Sequence, residues 1–329
     1  MKRAIYCVLF VVLICGLERI GWAATQDKYD LPEPYLGWER AYLREFPQLQ
    51  GLMQVMIDTT AEHIKDPDAD ILHNRVCSAL AFQMAKSLSK SVQNLAVVAD
   101  LLHNISKEDK GAVLTAPDIL QQSHQVVAEL KKAGYFKTSP RFWSDEAILK
   151  NPKVGGNRAL IHHITGALKA GQILKQAGGF SAKEIQDVQV AIIEHSTGYW
   201  YFRASVDDVG GQEGAWQVVY PEPENEIARI AQDADLISQF VPESVVPEGS
   251  KWRELATKRW GAKNPQEQGH IVYYVFLRLF EEAKTNVGKE MAREKWEQIR
   301  PELIRLMALR PEQDPISVLG VPKVFQKRR

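Results

Sequence analysis

Apolar and polar positions alternate along this chain with a helical period over most of its length. From about Leu72 to Leu309 apolar side chains recur every three or four residues, and no strand-like run is interleaved with them. Leu72, Val76, Ala79, Leu80 and Met84 share one broad face of a helix predicted over 70–90, and His73 lies inside that arc. Residues 91–103 are apolar nearly all round, the pattern of a central helix. Further helices are predicted at 117–134, 157–176 and 225–240. Ser181 with Glu184 three residues on forms a capping box, and behind it Ile185, Val188, Ile192 and His195 fall at helical spacing. Two more amphipathic helices are predicted within 264–283 and 289–309, before a basic tail. Residues 25–50 form a proline-containing leader running into a short helix. The stretches 137–156 and 199–223, punctuated by Gly and Pro, are expected to be loops, the second an aromatic hairpin or lid. The fold class is all-α, which disfavours a dinucleotide-binding α/β architecture.

The N-terminus breaks this pattern. Lys2 and Arg3 precede an uncharged apolar run from Ala4 to Leu17, followed by small residues at Gly21 and Ala23. A basic start, an apolar stretch too short to span a bilayer comfortably and a small-x-small site read as a secretory signal over 1–23. The expected destination is outside the cytoplasm, in a bacterial periplasm, with membrane attachment only if the segment is not removed. Cys7 and Cys15 fall in that segment, so Cys77 would stand alone in the mature chain with no disulfide partner, as a buried inert thiol. Lys+Arg and Asp+Glu are equal at 41 each, so no net field draws the chain to nucleic acid or an anionic membrane. Apolar residues make up 45% of the sequence, enough to build a sizeable core.

The histidines carry the chemical signal. Of the eight, His73 lies on an apolar helix face and His103 ends the central helix. His162 and His163 open another helix, and His195 sits on the apolar stripe of the next. Asp235 lies near the buried side of the 225–240 helix, with Asp233 two residues before it. Burying so many imidazoles without partners would cost roughly 1–3 kcal/mol for each unsatisfied group, and a shared cation would satisfy them together. His63, His124 and His270 suit the surface or helix edges.

In these segments the chain resembles the HD-domain superfamily of metal-dependent phosphohydrolases. The similarity runs, in the family's order, through HNRV at 73–76, ADLLHNISK at 99–107, HHITGALKAGQIL at 162–174, IIEHS at 192–196 and IARIAQDADLIS at 227–238. It implies an HD-like helical bundle over 70–245, preceded by the 24–69 leader and followed by helices over 246–329 packed on it. It also implies metal ligands at His73, His103, Asn104 and Asp235, with His162 and His195 at or beside a second position. His163 remains a rival to His162, although Gly166-Ala167 favours the latter, and Asp233 remains a rival to Asp235.

The family's His-Asp signature reads His103-Asn104 here, and Ser106 stands for the usual glycine, changing the turn at the pocket floor. An amide oxygen can coordinate but brings no charge, so the cation is expected to be held less tightly, as one ion rather than two. Imidazole and carboxylate suit Mn²⁺, Fe²⁺, Co²⁺ or Zn²⁺, with Mg²⁺ also open. Such an ion lowers the pKa of water to about 7 for attack on phosphorus. Lys107 is placed to reach a phosphoryl oxygen, and Asn104 to contact ion or substrate. The implied function is an exported phosphohydrolase acting on a small phosphorylated molecule or nucleotide. The alternative is a non-catalytic module that keeps the fold for binding. Gly198-Tyr199 is similar to the family's cyclic-dinucleotide variant, but Ser196 and Trp200 break that motif and the activity is not assigned.

Overall fold

The computed structural model describes residues 31–65, 67–107, 117–137, 158–195 and 222–326. The expected export segment 1–23, the irregular 138–157 and the aromatic stretch 199–221 lie outside the described residues.

Among the described residues the chain is all-α, with no strand. The helices are α1 (Tyr35–Glu45), α2 (Leu49–His63), α3 (Pro67–Met84), α4 (Lys90–Leu102), α5 (Pro117–Lys132), α6 (Arg158–Ala177) and α7 (Ala182–Glu194). They continue as α8 (Glu226–Ser238), α9 (Pro242–Val245), α10 (Lys251–Trp260), α11 (Pro265–Glu282), α12 (Asn286–Leu306) and α13 (Pro315–Leu319). No described helix is long and apolar enough to cross a membrane.

The predicted elements form close to their expected bounds because local signals set them. Ser89 caps α4, accepting from the Val92 amide at 3.3 Å. Ser181 and Glu184 form the full capping box of α7, with the Ser181 amide donating to Glu184 at 2.8 Å. Helix α2 departs from the expectation of a leader and one short helix over 24–69. Its Leu49, Leu52, Met53, Met56 and Ile57 are buried against the domain, so tertiary packing decides a segment with weak local signals. Helices α10 and α13 fall within the helical extension expected over 246–329, and the short α9 precedes it.

Helix α4 is central, as its all-round apolar sequence requires: every residue from Leu95 to Leu102 is buried. It packs on α3, α7 and α8, and α6 lies against α7. Glycine governs how closely α6 approaches. A Cβ on Gly166 would meet the His103 carbonyl, the Ser106 hydroxyl and Ile192 at 3.4 Å each. Ser106 exploits that approach, donating to the His162 carbonyl at 3.1 Å and pairing with the Thr165 hydroxyl at 2.8 Å. In place of glycine it ties the end of α4 to α6.

The N-terminal helix is fixed by a buried ion pair. Arg75 on α3 donates through Nε and Nη2 to both Glu39 oxygens on α1, at 2.8 and 2.5 Å. The fork satisfies two charges that could not be buried singly. At the C-terminal side, Phe240 stacks edge-on with Phe276 at 4.9 Å and with Trp296 at 6.5 Å, which joins α11 and α12 to the end of α8.

Candidate metal centre

Three helices deliver side chains to one point, and a fourth brings His195 beside it. His73 comes from the middle of α3, His103 and Asn104 from the end of α4, His195 from the end of α7, and Asp235 from α8. His73 Nε2 lies 3.2 Å from His103 Nε2 and 3.1 Å from Asp235 Oδ1, and His103 Nε2 lies 4.0 Å from the same carboxylate oxygen. Nitrogen and oxygen ligands about 2.0–2.2 Å from a shared cation sit about 3–3.5 Å apart at tetrahedral or octahedral angles. The two distances from His73 Nε2 fall within that spacing, and the His103–Asp235 side is about half an ångström longer.

The helix ends explain how the imidazoles are aimed. The last carbonyls of a helix lack intrahelical partners. His103 is the cap of α4, and its Nδ1–H donates to the Asp100 carbonyl at 2.6 Å. His195 caps α7 in the same way, donating from Nδ1 to the Ile192 carbonyl at 2.5 Å. Each bond fixes the tautomer that leaves Nε2 with a lone pair. For His73 the orienting group is Ser238, whose hydroxyl donates to the Asp235 carbonyl at 2.6 Å and accepts from His73 Nδ1–H at 3.3 Å. This assignment follows from the hydrogen-bond network. It turns the Nε2 lone pairs of His73 and His103 and the carboxylate of Asp235 toward one another, an arrangement that calls for a cation or a proton between them.

The electrostatics agree. Burial holds His73, His103 and His195 below the usual histidine range, His103 furthest, so all three favour the neutral, ligating form. Burial would raise Asp235, but the approach of His73, and then the other imidazoles, outweighs it and holds the carboxyl below the ordinary range, so the group stays an anion. Asp100 behaves oppositely. Its carboxylate is fully buried without a hydrogen-bond partner, and desolvation, followed by repulsion from Asp235 and Asp233, holds its pKa well above the ordinary range.

Asn104 is buried, with its amide nitrogen 2.8 Å from His103 Nε2. Rotating the amide by half a turn would present its oxygen instead, so the residue is within reach of anything bound at His103. Lys107 is half-exposed, its Nζ 3.5 Å from Asp70 Oδ1. His162, His163 and His195 form a second group, with the His163 and His195 rings stacked at 4.5 Å and the His162 and His163 rings 4.1 Å apart. His195 also meets His103 edge-on at 4.9 Å, so the two groups adjoin. Both members of the 162–163 pair are thus at this second group, and His163 is the more deeply buried. The Asp233/Asp235 ambiguity separates by geometry. Asp233 points away, accepting from the Lys284 amide, the Thr285 amide and the Thr285 hydroxyl, each at 2.7 Å, ahead of α12.

Three residues at the site were not anticipated from sequence. Cys77, one turn after His73, places Sγ 3.7 Å from His73 Nε2 and belongs with His73, His103 and Asp235 to a group whose donor atoms all lie within 4.8 Å of one another. Its i+4 spacing from His73 is the signal that could have found it. Ser238 is likewise one turn from Asp235. Lys251, at the start of α10, carries no local signal. Its amine donates to Gln239 at 3.0 Å, and desolvation together with the like charge of Lys107 lowers its pKa. Two groups of described residues could therefore hold a metal ion. No protein-family model, curated protein or solved structure matches the chain.

Proposed function

We propose that this chain is an exported HD-type phosphohydrolase that uses a divalent cation to hydrolyse a small phosphorylated molecule or nucleotide. The observation that supports this reading most is the meeting of His73 Nε2, His103 Nε2 and Asp235 Oδ1, three atoms from distant segments, with tautomers set for ligation. When bound, a divalent cation acidifies water and neutralises phosphoryl oxygens. The chain's own residues do the rest. The Asp100 carbonyl and Ser238 hold the imidazoles in aim, Asp235 supplies negative charge, and Asn104 offers an amide to cation or substrate. Lys107 and Lys251 bring two ammonium groups near Asp70 and Asp235, and a phosphoryl group would exchange for Asp70 as the partner of Lys107. His162 and His195 line the inner side.

The test combines metal analysis with turnover. Purified protein is expected to take up Mn²⁺, Co²⁺ or Zn²⁺ and to hydrolyse a generic aryl phosphomonoester or phosphodiester, and His103→Ala and Asp235→Ala are expected to abolish both. Protein that takes up no divalent ion overturns the reading.

A second reading, a non-catalytic binding module on the same fold, rests on Asn104, a neutral residue hydrogen-bonded to a ligating nitrogen position. Turnover by Asn104→Asp but not by the native chain would favour it.

A further inference from the structure

We propose that Cys77 is a direct ligand of the cation and supplies, as thiolate, the negative charge that Asn104 does not. The inference rests on the cation reading above and specifies its ligand set.

The thiol is fully buried and not in a disulfide, one helical turn from His73 on the same face of α3. Its Sγ is 3.7 Å from His73 Nε2 and 3.8 Å from His73 Nδ1. Sulfur at about 2.3 Å and nitrogen at about 2.0–2.1 Å from one tetrahedral ion lie about 3.5 Å apart, close to the observed value. Sγ, the two imidazoles and the Asp235 carboxylate together form a four-donor set within 4.8 Å, and an ion that expands to five-coordination on these four donors keeps a position for water.

Charge selects the same answer. A divalent ion in a buried site with Asp235 as its one anionic ligand would leave a net positive charge away from water, at a high desolvation cost. A thiolate beside Asp235 brings the centre to neutrality. Asp100, the other buried acid nearby, falls outside the donor set and holds His103 through its main-chain carbonyl. On binding, the S–H bond breaks, the sulfur electron pair forms the bond to the ion, and the proton leaves to solvent, with no change of oxidation state. A thiolate also biases the site toward Zn²⁺, Fe²⁺ or Co²⁺ and away from Mg²⁺.

Two measurements on full-length protein test this. Co²⁺-loaded native protein is expected to show a near-ultraviolet sulfur-to-cobalt charge-transfer band, absent from Cys77→Ser, which should bind Zn²⁺ at least tenfold more weakly. X-ray absorption of the Zn²⁺-loaded native chain, which needs no variant, is expected to show a sulfur neighbour at about 2.3 Å. Bound Co²⁺ without the band and bound Zn²⁺ with nitrogen and oxygen neighbours alone would overturn the role of Cys77 and leave the cation reading standing. Failure to take up either ion would overturn both.

Discussion

The side chain that matters most at the residue scale is one that never touches the central point. Ser238 orients His73 by accepting from Nδ1 while donating to the Asp235 carbonyl, so it sets the tautomer of one ligand from the main chain of another. Ser238→Ala removes this constraint and leaves His73 free to rotate or change tautomer. Loss of such an orienting group costs about 10–100-fold in metal affinity, and that weakening is expected in competition with a chromophoric chelator. Unchanged affinity would mean that His73 is aimed by packing alone. Asn104→Asp tests the opposite change. At an effective dielectric near 20, an added unit charge about 4 Å from a divalent ion is worth about 8 kcal/mol by Coulomb's law before solvation offsets it. A net tightening of about 10–100-fold is therefore expected in the same assay, and a fall in affinity would place the side chain outside the ion's reach.

At the scale of elements, two aspartates two residues apart on α8 do unrelated work. Asp233 accepts three hydrogen bonds from the turn preceding α12, and the Thr285 hydroxyl it anchors caps that helix through the Gly288 amide at 2.8 Å. Asp233→Ala strands those buried donors and is expected to lower unfolding free energy by about 1–3 kcal/mol in urea while metal uptake persists. Asp235→Ala should show the reverse, lost uptake with a stable fold. Helical period could not separate the pair, because both positions lie near the buried side of α8. What separates them is where α12 returns, a long-range fact absent from the local pattern. Elements with strong caps or all-round apolar sequence, such as α4 and α7, were legible for the complementary reason that their signals are local. Helix α2 was not, because its helicity depends on the core it covers. The histidines and Asp235 were readable as chemistry at helical positions. Cys77 is the buried free thiol the sequence predicts, and its place beside an imidazole emerges only in three dimensions. Lys251 could not be found, since it comes near Lys107 and Asp235 from a helix outside the motif-bearing segments.

Across the whole molecule, the row of imidazoles makes stability depend on pH. Burial holds His73, His103, His163 and His195 below the ordinary histidine value in the folded, metal-free chain. The unfolded chain takes up protons on these groups as pH falls through about 6.5, whereas the folded chain resists until its own lower pKa values are reached. The unfolded state therefore binds more protons in that window, and the stability present above pH about 6.5 drains away as pH falls below it. Each fully titrating group removes up to about 1.4 kcal/mol per pH unit. Protein stripped with a chelator is thus expected to show a lower urea midpoint at pH about 5.5 than at about 7.5. A bound cation adds to the contrast, because it stabilises the folded state in proportion to RT ln(1 + [L]/Kd) and competes with the same protons. Metal should raise the midpoint strongly at the higher pH and progressively less as protons displace it. A midpoint unchanged by pH in the stripped protein would mean that folded and unfolded chains bind equal numbers of protons and that burial does not hold these imidazoles neutral, and a midpoint higher at pH about 5.5 would mean that the fold keeps them protonated.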